Sequence, residues 1–104
     1  MEFVETPVFT RRLVALLSDD DYRQLQLALA MNPKAGLVIP GSGGLRKMRW
    51  AAKGHGKRGG VRTIYYHYQE QDTCFMLVVY AKNERDDLSR RELQVLAALV
   101  EAER

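Results

Sequence analysis

Lys47 and Arg49 stand two residues apart in the run Arg46-Lys47-Met48-Arg49-Trp50. In an extended segment that spacing sends both side chains to one face, with Arg46, Met48 and Trp50 on the other. Arg62 lies near the start of the next β-rich segment, Val61 to Tyr68, and a hairpin would bring it back beside them. Three cations on one sheet surface can hold a phosphodiester and stabilise the extra charge of a pentacovalent transition state. A lysine crowded by other cations is also easier to deprotonate, which makes Lys47 a candidate base. Tyr65, Tyr66, Tyr68 and Tyr80 could offer faces to nucleobases. Strand tyrosines more often pack inward, so at least two of these four are expected in the core.

The charge pattern around these residues supports an anionic ligand. Net charge is only +3 over 104 residues. Yet no carboxylate occurs between Asp21 and Glu70, whereas that stretch holds Arg23, Lys34, Arg46, Lys47, Arg49, Lys53, Lys57, Arg58 and Arg62. All but the first two fall between Arg46 and Arg62, with glycines interleaved. Such a block makes a local positive field suited to a polyanion, and a nucleic acid is the working expectation.

Other constellations carry less. Gly54-His55-Gly56-Lys57 is followed by Arg58 rather than Ser or Thr, and then by a β-rich segment. It therefore fails both the sequence and the helix requirement of a phosphate loop. His55 and His67 have no ligand spacing for a metal. Cys74 is the sole cysteine, which excludes an internal disulfide and favours a buried core role. An apolar fraction of 46% with 28% charged residues fits one globular domain over residues 1–104. No apolar run is long enough to span a membrane and no leader pattern opens the chain, so a cytoplasmic protein is expected.

The elements that must position the cations read as follows. Val4 lies in a short apolar lead that could be a first strand. Thr6-Pro7 starts a helix with apolar residues Phe9, Leu13, Leu16 and Leu17. Ser18 restarts a second, with Asp19, Asp20 and Asp21 at its positive end and Asn32-Pro33 as its stop. Leu37-Val38-Ile39 reads as a short extended piece. Strands follow over Arg46–Ala51, Val61–Tyr68 and Cys74–Ala81, joined by short loops that make them an antiparallel meander. Ser89 with Glu92 forms a capping-box pattern for a final helix carrying Leu93, Leu96, Ala97 and Val100. Helices segregated from a run of strands predict an α+β fold.

Three runs together resemble the RelE/ParE toxin superfamily, most closely its HigB-type branch. They are Gly44-Leu45-Arg46-Lys47-Met48-Arg49-Trp50, Gly59-Gly60-Val61-Arg62-Thr63-Ile64-Tyr65-Tyr66 and Leu77-Val78-Val79-Tyr80-Ala81-Lys82-Asn83-Glu84. The resemblance implies two N-terminal helices and a C-terminal helix packed on a small antiparallel sheet whose other face binds RNA. It implies a ribosome-dependent endoribonuclease that needs no metal or cofactor and cuts mRNA by attack of the ribose 2′-hydroxyl. By motif position Lys47, Arg49, Arg62 and Lys82 are the catalytic cations. Arg46, Lys53, Lys57, Arg58 and Tyr80 are the expected RNA contacts. Asn83 stands where RelE carries a further arginine, and the segment Arg85-Asp86-Asp87-Leu88-Ser89 lacks the tyrosine or histidines of relatives. The general acid is therefore open among Lys82, Tyr80, His55 and a group of the ribosome. The implied partners are a helix-turn-helix antitoxin of the HigA type, the ribosome with mRNA in its decoding site, and operator DNA only through the antitoxin. A ParE-like gyrase inhibitor and a non-catalytic nucleic-acid-binding module are the alternatives.

Overall fold

Each helix begins where a hydroxyl can satisfy an orphan backbone donor. In α1 (Pro7–Leu16) the Thr6 side chain accepts from the Phe9 amide. In α2 (Asp19–Met31) Ser18 accepts from the Asp21 amide, with three aspartates in the first turn. In α3 (Arg90–Ala102) Ser89 and Glu92 cap each other's backbone at 3.1 and 2.8 Å. The computed structural model describes residues 1–51, 60–85 and 87–103.

Five strands form one sheet: β1 (Glu2–Glu5), β2 (Leu37–Val38), β3 (Arg46–Trp50), β4 (Val61–Tyr68) and β5 (Thr73–Ala81). Their spatial order is β1-β5-β4-β3-β2. Strands β2 to β5 pair antiparallel, as the short connections dictate. The expectation of a wholly antiparallel sheet needs one correction: β1 adds to the outer edge of β5 in parallel, Glu2 opposite Thr73 through Glu5 opposite Met76. That pairing joins the two most separated strands of the chain and leaves no local signal.

The sheet is covered on both faces. Phe9, Leu16, Leu25 and Leu29 from α1 and α2, with Leu17 just past the end of α1, pack with Met48, Val61, Tyr65, Cys74, Met76, Val79 and Ala81. On the opposite face Val100, with the half-buried Leu93 and Leu96, brings α3 onto Leu45, Ile64, Phe75, Leu77 and Tyr80. This too corrects an expectation: the face opposite α1 and α2 is not left whole for a ligand, since α3 occupies part of it.

The two clusters reveal a break in strand alternation. Cys74 and Met76 face α1 and α2, but further on it is Val79 and Ala81 that do so. The register explains this: Tyr65 pairs with Met76 and Ile64 with Val78, leaving Leu77 as an extra residue. Leu77 and Val78 both turn to the α3 face, the signature of a β-bulge. The bulge is met by Thr6, whose hydroxyl donates to the Leu77 carbonyl at 2.7 Å and whose amide donates to Met76. One buried threonine thus caps α1, satisfies the bulge and fixes where β1 ends.

A second tether holds the turn between α2 and β2. The buried Tyr65 hydroxyl donates to the Pro33 carbonyl at 2.7 Å and accepts from the Gly36 amide at 2.9 Å. Arg46 donates to the Gly36 and Lys34 carbonyls. A methyl group on Gly36 would lie 2.8 Å from the Tyr65 ring, so this approach requires glycine.

Thr6→Val keeps the shape but removes the hydroxyl, stranding both the Phe9 amide and the Leu77 carbonyl. A loss of about 2 kcal/mol is expected in urea denaturation, with Thr6→Ser close to the parent. Burial pushes the Cys74 thiol up to about 11, with Asp72 adding to the rise and the N-terminal ammonium opposing it. Cys74 should resist alkylation by iodoacetamide at pH 8 and react only after unfolding; fast labelling of the native protein would contradict this burial.

Candidate active-site cleft

The cleft is built by strand pairing. In the β3–β4 ladder Arg49 stands directly opposite Arg62, and in the β4–β5 ladder Arg62 stands opposite Tyr80. Lys47 precedes Arg49 by two residues, about 7 Å along the strand, and shares its face. Cross-strand pairs of like charge destabilise a sheet, so the Arg49–Arg62 juxtaposition is a cost that packing elsewhere must offset. Lys82 follows directly after β5, and its amide donates to the Gly60 carbonyl at 3.2 Å. Gly60 has φ +55°, and a Cβ there would meet the Trp50 carbonyl at 1.9 Å, so β4 can start here only with glycine.

Lys47, Arg49, Arg62, Lys82 and Asp87 line one shallow cleft of about 310 Å³ on the α3 face of the sheet. Arg62 is the deepest of these cations, 8% exposed, and donates to the Val61 carbonyl. Lys47 is ion-paired with Asp87, Nζ to Oδ1 at 2.5 Å. That hydrogen bond, followed by the charges of Lys47, Arg49 and Arg62, holds the Asp87 carboxyl below the usual aspartate range. Arg49 and Lys82 have no ion-pair partner among the described residues. The arrangement can seat an anion on several cations at once and stabilise charge that develops on it. Among the described residues no cluster of three or more His, Cys, Asp or Glu is placed to hold a metal ion.

Two supports fix the cleft's rim. Behind Lys82, the Glu84 carboxylate accepts from the Ala81 amide and from Arg12 of α1. The Arg12 hydrogen bond is the main reason its carboxyl sits low. Beside Asp87, Arg85 forks onto both oxygens of Glu92 and donates to the Asp87 carbonyl at 3.3 Å. Its guanidinium also lies 5.8 Å over the Tyr80 ring. That fork is the chief cause that lowers Glu92 to about 2, so α3's capping carboxylate stays ionised across the neutral range.

The four expected catalytic cations therefore meet in one place. The other expected contacts do not all join them. Arg46 points to the opposite face, where it holds the turn after α2, so it is a structural tether and not part of the cleft. Tyr80 is 3% exposed in the α3-side core and covered by Arg85, which leaves no ring face for a nucleobase. Tyr65 is likewise buried, so two of the four strand tyrosines are core. Lys53, Lys57, Arg58 and His55 lie outside the described residues. His67 sits five residues along β4 from Arg62, about 16 Å away, with its Nε2 3.6 Å from Asp72. The residue missed in the sequence is Asp87. It lies 40 positions from Lys47, and as one of two adjacent aspartates before a helix it reads as a dipole or capping residue.

Comparison with known proteins fits this architecture. A structure of the Escherichia coli toxin RelE, a double arginine-to-alanine mutant in the free state, aligns over 93% of both chains with a TM-score of 0.59 at 15% identity, a likeness of fold. The model of the RelE toxin of the RelE/RelB toxin–antitoxin system matches residues 24–102, which takes in every strand of the cleft and α3. The chain belongs to the RelE toxin family.

Proposed function

We propose that this toxin is a ribosome-dependent endoribonuclease, and that Lys47, Arg49, Arg62 and Lys82 bind and polarise the scissile phosphate of mRNA. The observation that carries the reading is the convergence of these four cations, from two strands and the turn after a third, on one open cleft. The ribose 2′-hydroxyl attacks the adjacent phosphorus to form the P–O2′ bond and passes its proton to solvent water in the open cleft. The P–O5′ bond breaks, and the 5′-oxygen leaves with a proton. The products are a 2′,3′-cyclic phosphate and a 5′-hydroxyl. The cations stabilise the dianionic transition state and neutralise the leaving oxygen. Lys82, exposed at the cleft's edge, is the residue we assign to protonate that oxygen.

The ribosome's part is to hold the mRNA so that the 2′-oxygen lies in line with the leaving group, a contribution of orientation that an open, shallow cleft does not supply alone. The antitoxin partner is of the HigA type in this reading, with operator DNA contacted through it, and the protein acts in the cytoplasm.

Primer extension on a defined mRNA in a purified translation system tests the reading. Discrete cuts should appear only when ribosomes translate. Arg62→Ala and Lys47→Ala should each lower the cleavage rate by about 10²-fold or more while circular dichroism stays native. Undiminished cutting by both variants would overturn the assignment. Growth arrest without cut mRNA would point to gyrase, and a supercoiling assay would then show inhibition. Arg46→Ala should behave oppositely to Arg49→Ala: the former lowers stability by about 1–2 kcal/mol and leaves the rate per folded molecule, the latter does the reverse.

A further inference from the structure

Among the described residues Asp87 is the only carboxylate that lines the cleft, and it occupies the place where a bound anion would be drawn. Its partner is Lys47, and Arg49 and Arg62 are close enough for their charges to act on it. Asp87 is not a loose surface residue that happens to find a lysine. The segment carrying it is bracketed on both sides. Arg85 before it is forked onto Glu92 and bonded to the Asp87 carbonyl, and Glu92 in turn closes the Ser89 capping box that starts α3. Arg85 also lies over the Tyr80 ring, which anchors Arg85 to β5. Arg85 and the α3 cap therefore hold Asp87 on a pre-formed arm, and its carboxylate has 70% of its side chain exposed, on the solvent side of the cations.

We propose that Asp87 is an internal stand-in for the substrate phosphate: it neutralises Lys47 in the free toxin and must be displaced before the cleft takes an RNA phosphodiester. This rests on the nuclease reading of the cleft and adds a regulation to it. An internal anion lowers the affinity for any outside polyanion in two ways. It ties up one cation, and once displaced it repels the incoming phosphate at short range. The same device limits non-productive binding of RNA away from the ribosome, because only a phosphate already held in place competes well with a tethered carboxylate. The Arg85–Glu92 fork sets how firmly the arm is held, so loosening the fork should also open the cleft.

The test is binding without chemistry. The probe is a short single-stranded RNA with every 2′-hydroxyl methylated, which blocks the attacking oxygen, followed by fluorescence anisotropy over a salt series. Asp87→Asn should tighten binding about five-fold at low salt, the scale of one exposed ion pair released. It should also steepen the fall of log affinity with log salt by roughly 0.7, the value of one more phosphate contact on a single strand. Arg85→Met should shift affinity in the same direction by a smaller factor. Arg62→Ala should weaken binding in either background. Unchanged or weaker binding by Asp87→Asn, with Arg62→Ala still weakening it, overturns the stand-in and spares the nuclease reading. Indifference of binding to Arg62→Ala overturns both.

Discussion

The hydrogen bond from the Thr6 hydroxyl to the Leu77 carbonyl is the contact on which the geometry of the cleft turns. A strand alternates its faces with period two, so one inserted residue reverses every side chain beyond it. Leu77 is that residue. Before it, Cys74 and Met76 face α1 and α2; beyond it, Tyr80 joins Arg62 on the α3 face, and Lys82 follows at the edge of the cleft. Without the bulge the end of β5 would present its residues to the wrong side, and Lys82 would leave the cations of β3 and β4. A bulge leaves a carbonyl without a ladder partner in the interior, which is costly unless something donates to it. Thr6 does so while capping α1, so the start of the first helix and the phase of the last strand are set by one side chain.

The same sheet then has to tolerate concentrated positive charge. Arg49 faces Arg62 across β3–β4, with Lys47 next along the strand. Neither strand contains an acid, and the surrounding chain from Tyr22 to Gln69 supplies none. The compensating carboxylate comes instead from beyond β5, through Asp87, and the supports around it are themselves ion pairs that do not involve the cleft's cations: Arg12 with Glu84 and Arg85 with Glu92. The charges that shape the rim are thus paired with one another, while Lys47 in the cleft is paired with Asp87, and Arg49 and Lys82 have no ion-pair partner among the described residues.

Much of this was legible in the sequence because its causes are local. Thr6, Ser18 and Ser89 each precede a helix with the donor geometry they satisfy, and all three caps form. The alternation in Arg46 to Trp50 places Lys47 and Arg49 together, and β4 runs from Val61 to Tyr68 as its β-branched and aromatic residues indicate. Arg46 shows how a regional signal and a local role can diverge. Its position already puts it with Met48 on the helix face, yet the density of the basic block suggests an RNA contact; its guanidinium in fact closes the turn after α2. What stayed hidden depends on distant partners. The parallel pairing of β1 with β5, the bulge at Leu77 and the Asp87–Lys47 pair join positions far apart in the chain, and no periodicity or spacing encodes them.

The central claim is that the cation cleft drives attack by a ribose 2′-hydroxyl on the neighbouring phosphate. The most direct measurement uses two mRNAs in a translating system, identical except that one carries a single 2′-deoxy nucleotide immediately 5′ of the cut site. The account predicts a cut with a 2′,3′-cyclic phosphate end in the all-ribose message and none at that position in the substituted one. Equal cutting of both messages would show that water or another nucleophile does the chemistry, and would contradict the account.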